Sequence, residues 1–279
     1  MQEVKRVAAV NDLSGFGRCS LTVTIPILSA MGFQVCPVPT AVLSSHTGYP
    51  DPLVRDFSGD MADYLAHWER LGLTFACGYT GFLGHPEQAE VLAPFLTRLR
   101  EQGAMRLVDP AMADNGKLYS SCSPDLIPAM GRLVALASIA TPNLTELCLL
   151  TGEDYGDVVA HPDTLRPRVE AMARRLLACG CEALAVTGVA GEEWIDNLVQ
   201  SGADADPVWV RGQRVNRHFA GTGDVFASVL CGWLLRGVPL DEAVGRTAAF
   251  VSKTAAATAE TGANGQDGIV FEPYLKELF

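Results

Sequence analysis

The chain has 279 residues, of which 48% are hydrophobic and 19% charged, so it can bury a large core and is not globally disordered. Its 21 Lys and Arg against 32 Asp and Glu give a net charge of −11. Nucleic acids and anionic membranes require clustered positive charge, so this balance argues against both as partners. It still allows a phosphorylated ligand, because backbone N–H groups bind phosphate without Lys or Arg. We therefore expect a small-molecule partner.

Targeting and metal-binding patterns are not evident in the sequence. The first apolar run is too short for a signal peptide, and no stretch approaches the roughly 18 apolar residues of a membrane helix. The 8 cysteines show no zinc spacing and, without a secretory signal, no disulfide framework. We expect a cytoplasmic protein with reduced cysteines. Because no linker-like segment divides the chain, we also expect a single domain over residues 1–279.

Short apolar runs alternate along the chain with longer amphipathic stretches. Strands are predicted at Val7–Val10, Gln34–Val38, Thr74–Cys77, Arg106–Val108, Ser138–Ala140, Ala183–Val186 and Val208–Arg211. Helices are predicted at Leu53–Leu71, Pro86–Glu101, Pro167–Cys179, Asp224–Arg236 and Asp241–Ala259. This alternation predicts an α/β fold with a mostly parallel central sheet and helices on both faces. Ligands of such folds bind beyond the carboxyl ends of the strands, where we expect the chemistry.

The segment after the first predicted strand, Asn11–Gly17, is rich in polar and small residues. Its two glycines favour a tight strand-to-helix turn, and Asp12 and Ser14 would lie at the carboxyl edge of the sheet. The spacing is not that of a dinucleotide-binding loop, because Ser20 stands where the third glycine belongs. The alternative is that Asp12 only caps the following helix.

Two further loops carry aromatic and polar residues. Ser44–Tyr49 follows an apolar run, and its Thr47 and Tyr49 could offer hydrogen bonds and a ring face to a flat polar ligand. Tyr79, after the next predicted strand, could be a second ring platform. The alternatives are that His46 is structural and that Tyr79 belongs to the core.

A series of carboxylates also follows predicted strands: Asp109, Asp114 and Glu146. Magnesium takes oxygen ligands, commonly one or two carboxylates together with waters and substrate phosphates. Each acid could instead be a helix cap or turn residue. In particular, Thr141–Asn143 has the pattern of a helix start with Glu146 in the first turn.

The sharpest local motif is Gly221-Thr222-Gly223-Asp224, directly before a strongly apolar helical stretch. A helix start offers free N–H groups and a positive dipole end, and glycines allow close approach of a phosphate. Asp224 at the same place could take a proton from an attacking hydroxyl. No Gly-Lys-Ser/Thr follows, so this is not a P-loop. The alternative is an ordinary helix start capped by Thr222 or Asp224.

Taken in order, these segments resemble the ribokinase-like superfamily, and within it the vitamin B6 kinases. The motifs that carry the resemblance are Ser45–Tyr49, Gly78–Thr80, Asp109-Pro110, Thr141–Asn143 with Glu146, and Gly221–Asp224. The resemblance implies a ribokinase-like, three-layer α/β/α fold. It also implies ATP-dependent phosphorylation of the 5′-hydroxymethyl group of pyridoxal, pyridoxine or pyridoxamine, and a homodimer.

The resemblance implies a role for each matching residue. Asp224 would be the general base, with Gly221, Thr222 and Gly223 as the anion hole around the transferring phosphoryl group. The positions that would organise ATP, Mg²⁺ and a monovalent cation (K⁺ or Na⁺) are Asp109, Asp114, Thr141, Asn143 and Glu146. The nucleotide contacts would also include Thr187, Gly188 and Thr222. The pyridine-ring pocket would contain Asp12, Thr47, Gly48 and Tyr79.

One position departs from the pattern of the best-known pyridoxal kinases, which carry a serine where this chain has Asp12. In this respect the chain is more similar to hydroxymethylpyrimidine kinases of the same superfamily. A carboxylate would favour a ligand amine or a protonated ring nitrogen. Hydroxymethylpyrimidine kinase is therefore the main alternative, ahead of a sugar or nucleoside kinase. A non-catalytic nucleotide or vitamer binder is disfavoured by the Gly221–Asp224 motif, and a dehydrogenase by the broken dinucleotide spacing.

Overall fold

The computed structural model describes residues 4–191 and 194–279. Residues 1–3 and 192–193 of the predicted single domain lie outside the described part of the chain. Within the described ranges, none of the helices combines the length and apolar character needed to cross a membrane.

The strands form one large sheet and one small hairpin. Their bounds are β1 (Arg6–Ser14), β2 (Gln34–Leu43), β3 (Val54–Asp56), β4 (Cys77–Thr80), β5 (Met105–Val108), β6 (Ala113–Asp114), β7 (Lys117–Leu118), β8 (Ile139–Ala140), β9 (Ala183–Ala190), β10 (Trp194–Ser201) and β11 (Val208–Gln213). The described residues give a sheet with the strand order β11-β10-β9-β8-β5-β4-β1-β2-β3, and β6 pairs with β7. The inner run from β9 to β2 is parallel, whereas β3, β10 and β11 join antiparallel at the two edges.

The helices complete a three-layer architecture. Their bounds are α1 (Leu21–Ala30), α2 (Ser58–Arg70), α3 (Pro86–Glu101), α4 (Leu126–Val134), α5 (Leu144–Thr151), α6 (Tyr155–Val159), α7 (Pro162–Ala178), α8 (Thr222–Leu235) and α9 (Leu240–Glu260). Two short 3₁₀ turns follow at Gly265–Asp267 and Glu272–Leu278.

Side-chain alternation along the strands sends neighbouring residues into two separate cores. Val108 packs in a core with α2 to α7, whereas its neighbour Leu107 packs in a second core with α1, α8 and α9. Val186 and Ala185 of β9 divide in the same way. The sheet is therefore covered on both faces, which confirms the predicted three-layer α/β/α fold with a mostly parallel sheet.

Most predicted elements are present, with some displaced bounds. The helix predicted at Pro86–Glu101 has those bounds. The strand predicted at Thr74–Cys77 is instead β4, which begins at Cys77 and ends at Thr80. Strand β10 was not predicted, and for helix α1 the sequence predicted only a turn into a helix after Asn11–Gly17, without bounds. The displacement of β4 matters for the site, because it moves the carboxyl end of that strand along the chain.

Candidate active site

A cavity of about 710 Å³ opens at the carboxyl ends of the parallel strands, where the sheet meets the first turn of α8. It brings together nearly all of the residues that the sequence predicted for a site. Those that line it are Asp12, Thr47, Gly48, Asp109, Asp114, Thr141, Asn143, Glu146, Thr187, Gly188, Gly221, Thr222, Gly223 and Asp224. Residues separated by more than 200 positions in sequence thus share one cavity, as the topology of a doubly covered parallel sheet requires.

Tyr79 does not share this cavity, contrary to the expectation of a ring platform. Its side chain is 1% exposed and packs in the core that α1 and α8 cover. The cause is the position of β4: Tyr79 lies within the strand rather than beyond it, so its side chain stands on the sheet face. Phe82, which follows the actual end of β4, lines the cavity instead.

The start of α8 is built by a glycine that no other residue can replace. Gly221 has a φ of +69°, and a Cβ atom there would lie 1.9 Å from the carbonyl oxygen of Arg18. A Cβ atom at Gly223 would meet no atom within 4 Å, so that position is open toward the cavity. The first N–H groups of the helix lack intrahelical partners and carry the positive end of the helix dipole. The result is an anion-binding corner on the cavity wall.

Asp224 lies in the first turn of the same helix, at the cavity floor. One carboxylate oxygen accepts a hydrogen bond of 3.3 Å from Asn11 Nδ2, and the backbone N–H of Ser20 also donates to the carboxylate. Burial, together with the negative charge of Asp12, raises the pKa of Asp224 from an ordinary 3.8 to about 6. The carboxylate is therefore mostly ionised at neutral pH, although its pKa lies only about one unit below 7.

Asp12 lies beside it in β1 and is 5% exposed. Its two oxygens accept hydrogen bonds from the hydroxyls of Ser14, at 2.7 Å, and Ser20. Burial raises the pKa of Asp12 despite these hydrogen bonds. Ser20 itself has a φ of +52°, an unusual conformation that turns its hydroxyl toward Asp12 and its N–H toward Asp224. Asp12 is thus not a helix cap.

The loop with Thr47 and Gly48 is held in place by His46. A Cβ atom on Gly17 or on Gly48 would lie within 3 Å of the His46 ring, so the ring fills the space that both glycines leave. His46 Nδ1 accepts from the N–H of Gly48 at 3.1 Å, and Nε2 lies 2.7 Å from the carbonyl oxygen of Gln266. These partners require a neutral ring protonated at Nε2. His46 is therefore structural, and it fixes Thr47 and Gly48 at the cavity rim.

The carboxylates on the other side of the cavity are also buried. Asp109 accepts a hydrogen bond of 3.0 Å from Thr141 Oγ1, and burial and the charge of Asp224 raise the pKa of Asp109 to about 7. Glu146 forms a capping box with Asn143 at the start of α5, which agrees with the alternative that Thr141–Asn143 begins a helix with Glu146 in its first turn. Its Oε1 also accepts from the N–H of Met112 at 3.1 Å, and burial raises its pKa well above the ordinary range.

Asp114 is more exposed than these acids and lies at the rim. Its side chain is 39% exposed and lies 3.8 Å from His218 Nδ1. Over residues 4–191 and 194–279, no group of three or more His, Cys, Asp or Glu side chains is arranged to hold a metal ion. The predicted metal ligands Asp109, Asp114, Thr141 and Glu146 therefore share a cavity without forming a closed site.

The opposite wall of the cavity was predicted only at Thr187 and Gly188. Thr187 and Gly188 lie in β9, where Gly188 has a φ of +73° and the register of the β9–β10 pair shifts. Beyond them, side chains from the antiparallel edge and from α9 form a largely apolar surface, which consists of Ile195, Val215, Ala248, Val251 and Ala255. We call these five residues the apolar wall.

Comparison with known proteins identifies the family. The family model for phosphomethylpyrimidine kinase matches residues 72–269. A pyridoxine/pyridoxal/pyridoxamine kinase of Bordetella avium is 33% identical over 264 residues, which span 90% of this chain and 85% of that protein. The chain belongs to the vitamin B6 kinase family.

Solved structures of the B6 kinase family agree with this assignment. A Bacteroides thetaiotaomicron protein, assigned as a phosphomethylpyrimidine kinase and crystallised with pyridoxal, is 36% identical with a TM-score of 0.93, over 99% of this chain and 96% of that one. Pyridoxal kinase of Lactobacillus plantarum is 28% identical with a TM-score of 0.87, over 99% and 97% of the two chains. These comparisons confirm the ribokinase-like fold and a kinase with an alcohol acceptor, as the sequence motifs predicted.

Proposed function

We propose that this protein transfers the γ-phosphoryl group of ATP to the 5′-hydroxymethyl oxygen of a vitamin B6 vitamer. The observation that carries the proposal is the placement of Asp224 and the free N–H groups of α8 at the floor of one cavity. An acceptor hydroxyl and a transferring phosphoryl group need these two features side by side. Phosphoryl transfer depends mainly on positioning and charge stabilisation, which this corner supplies.

Asp224 acts as the general base. With a pKa raised to about 6, the carboxylate is ionised at pH 7 yet basic enough to accept the proton of the hydroxymethyl group as the oxygen attacks. Its hydrogen bonds to Asn11 and Ser20 leave lone pairs free for the substrate hydroxyl. Activity should therefore fall as the pH decreases through about 6.

The helix start acts as the anion hole. The N–H groups of Thr222 and Gly223 face a cavity in which Gly221 lets the backbone approach closely, so they can bind the developing negative charge on the phosphoryl oxygens. Arg217 and His218 are the basic side chains that also line this part of the cavity. They lie near the rim, and acidic side chains outnumber basic ones in the cavity lining.

That negative balance fits a divalent cation. The oxygens of Asp109, Asp114 and Thr141 suit Mg²⁺, which commonly keeps several waters and binds one or two carboxylates together with phosphates. Such an ion would neutralise phosphate charge. Glu146 has both oxygens occupied by backbone N–H groups, so we place it behind the ion rather than on it. A monovalent cation, K⁺ or Na⁺, would further offset the buried carboxylates.

The nucleotide and the vitamer occupy opposite ends of the cavity in this proposal. Thr187, Gly188 and Asn143 contact the nucleotide, whose flat base suits the apolar wall. Asp12, Thr47 and Gly48 contact the pyridine ring and its substituents. The Bordetella avium relative is named a pyridoxine/pyridoxal/pyridoxamine kinase, which supports this substrate class.

Hydroxymethylpyrimidine (phosphate) kinase is the second candidate, because the matching family model is named for phosphomethylpyrimidine kinase and Asp12 suits an aminopyrimidine. A coupled assay of ATP consumption with pyridoxal, pyridoxine, pyridoxamine and hydroxymethylpyrimidine tests both. The proposal expects the highest kcat/KM with one of the three B6 vitamers. A preference for the pyrimidine would transfer the assignment to the second candidate, and ATP consumption with none of the four would refute both.

We further propose that residues 1–279 form a single cytoplasmic kinase domain, and that the protein is a homodimer, as the family resemblance implies. Light scattering of the purified protein tests the dimer: a mass near twice 29.7 kDa is expected, and a monomeric mass would refute it.

A further inference from the structure

Asn11 lies next to Asp12 at the point where β1, β4 and α8 meet. It is 2% exposed, so water does not satisfy its amide group. Its Nδ2 donates to Asp224 at 3.3 Å. No role for this residue was evident from the sequence.

The orientation of the Asn11 amide is fixed by two backbone donors. Oδ1 accepts from the N–H of Asp12 at 3.0 Å and from the N–H of Phe82 at 2.8 Å. If the amide were rotated by 180°, NH₂ would face two N–H groups and a carbonyl oxygen would face the carboxylate of Asp224. Both contacts would be repulsive, so the N–H of Asn11 must point at Asp224.

The chain also leaves space for this amide. A Cβ atom on Gly81 would lie 2.3 Å from Asn11 Nδ2 and 2.7 Å from its Cγ. Gly81 donates its own N–H to the carbonyl oxygen of Val10 at 2.8 Å, which ties the end of β4 to β1. Glycine at this position therefore lets the amide lie flat between the two strand ends.

We infer that Asn11 is a positioning residue that holds the Asp224 carboxylate toward the substrate hydroxyl and links it to the vitamer-side strand ends. This inference rests on the proposed role of Asp224 as the base. One side chain touches the base and the backbone of two residues that line the vitamer end, Asp12 and Phe82. Its hydrogen bond to Asp224 also stabilises the ionised form and opposes the increase in pKa that burial causes.

Other groups act on Asp224 from the elements around it. Asp12 of β1 raises the pKa of Asp224 by charge repulsion. Asp109 after β5, Cys19 before α1 and Tyr79 of β4 each have a pKa raised in part by the charge of Asp224. The thiol and the phenol are neutral at neutral pH, so the charged neighbours are the two carboxylates. Asn11 and the N–H of Ser20 are the donors that counteract them.

Two substitutions test the inference in different ways. Asn11→Asp keeps an oxygen acceptor for the two backbone N–H groups and replaces the donor to Asp224 by a carboxylate. Gly81→Ala keeps Asn11 but pushes a methyl group into its amide. For both, kcat should fall by about tenfold to a hundredfold, as expected for a misplaced catalytic group, while the KM values for vitamer and ATP change less than about threefold. For Asn11→Asp the acid limb of the kcat–pH profile should move up by about one pH unit.

The same substitutions in an Asp224→Asn background separate positioning from general damage. With the base removed, they should change the residual kcat by less than about twofold, because the group through which they act is absent. Ser138→Ala is the stability control: it removes the acceptor of a 2.7 Å hydrogen bond from the N–H of Arg106, near the amino ends of β5 and β8, and Ser138 does not line the cavity. It should lower the melting temperature without moving the pH profile.

Wild-type kcat and an unmoved acid limb in Asn11→Asp would overturn the inference, as would an equal loss in the Asp224→Asn background. If Asn11→Asp does not fold, Gly81→Ala and its double mutant decide by the same criteria. Failure of the proposed function can be told apart from failure of this inference. In that case the wild-type protein itself would show no vitamer-dependent ATP consumption.

Discussion

The two ends of the cavity are built by opposite means. At the vitamer end, hydrogen bonds between buried polar groups of β1 and α8 fix the side chains in place. Gly221 lies there at a position where no side chain fits. At the nucleotide end, the apolar wall comes from β10, from the segment after β11 and from α9. The first end fixes the reacting atoms, whereas the second offers surface for a flat base.

This difference indicates where substitutions should act on turnover and where they should act on affinity. A preorganised, charge-dense corner contributes mainly to the transition state, because its groups act on charge that develops during the reaction. An apolar wall contributes equally to the ground state and the transition state, and therefore mainly to KM. Substitutions at the vitamer end should therefore change mainly kcat, and substitutions at the apolar wall mainly the KM for ATP.

The largest effect is expected for the base. Asp224→Asn keeps the shape of the side chain but cannot accept the hydroxyl proton, so kcat should fall by about 10²–10⁴, while directly measured vitamer affinity changes little. Steady-state kinetics with isothermal titration of the vitamer measure both quantities. A variant that folds normally and retains more than about a tenth of the wild-type kcat would exclude Asp224 as the base.

The same variant should be more stable than the wild type at alkaline pH. Because the pKa of Asp224 is raised from 3.8 to about 6 in the folded state, ionising it costs stability as the pH rises through that interval. At about 1.4 kcal/mol for each pH unit, Asp224→Asn should gain up to about 3 kcal/mol at pH 8 and almost nothing at pH 4. Urea denaturation without divalent cations at both pH values measures this. Equal stability of the two proteins at pH 8 would contradict the burial of a charge here.

Much of the vitamer end was predictable from the sequence. Its signals are local. Gly221–Asp224 precedes an apolar helix, and polar residues directly follow the predicted strand Val7–Val10, so both can be recognised without tertiary information. Asn11 and Ser20 escaped prediction because their roles depend on partners more than 200 residues away in the chain, at Asp224.

At the nucleotide end, the resemblance predicted Thr187 and Gly188, but the apolar wall escaped prediction for a different physical reason. Strand β10 contains the buried polar residues Asp196, Asn197 and Gln200, so its sequence lacks the apolar run that marks a strand. The helix expected after Gly17 received no bounds, since α1 contains Pro26, a residue that rarely lies inside a helix. The apolar wall has no motif, because it assembles single residues from separate elements. The predicted strand Thr74–Cys77 ends three residues before β4 does. This small displacement placed Tyr79 in the predicted site, whereas Phe82 lines the cavity.

Substrate choice should respond to Asp12, the polar residue that departs from the best-known pyridoxal kinases. Asp12→Ser should lower kcat/KM for pyridoxamine or hydroxymethylpyrimidine relative to pyridoxal by about tenfold to a hundredfold, the effect of losing a charge-assisted hydrogen bond worth about 1.5–3 kcal/mol. Removal of this charge should also lower the pKa of Asp224 and extend activity to lower pH. Parallel assays of the four substrates check the ratio. Unchanged ratios would mean that Asp12 only orders Ser14 and Ser20.

The smallest effect is expected at the apolar wall. A larger side chain there should occupy space needed by the nucleotide, without affecting the vitamer. Ala255 of α9 is 6% exposed and lines the cavity. Ala255→Leu should raise the KM for ATP by about tenfold, which corresponds to about 1.4 kcal/mol of overpacking, and leave kcat and the KM for the vitamer within about twofold. Ala256→Leu places the same side chain on the neighbouring position of the helix, which does not line the cavity, and serves as the matched control. If both variants raise the KM for ATP equally, the effect arises from the helix rather than from the wall. If Ala255→Leu lowers kcat while the KM for ATP is unchanged, the two ends of the cavity are not divided between turnover and affinity as their construction indicates.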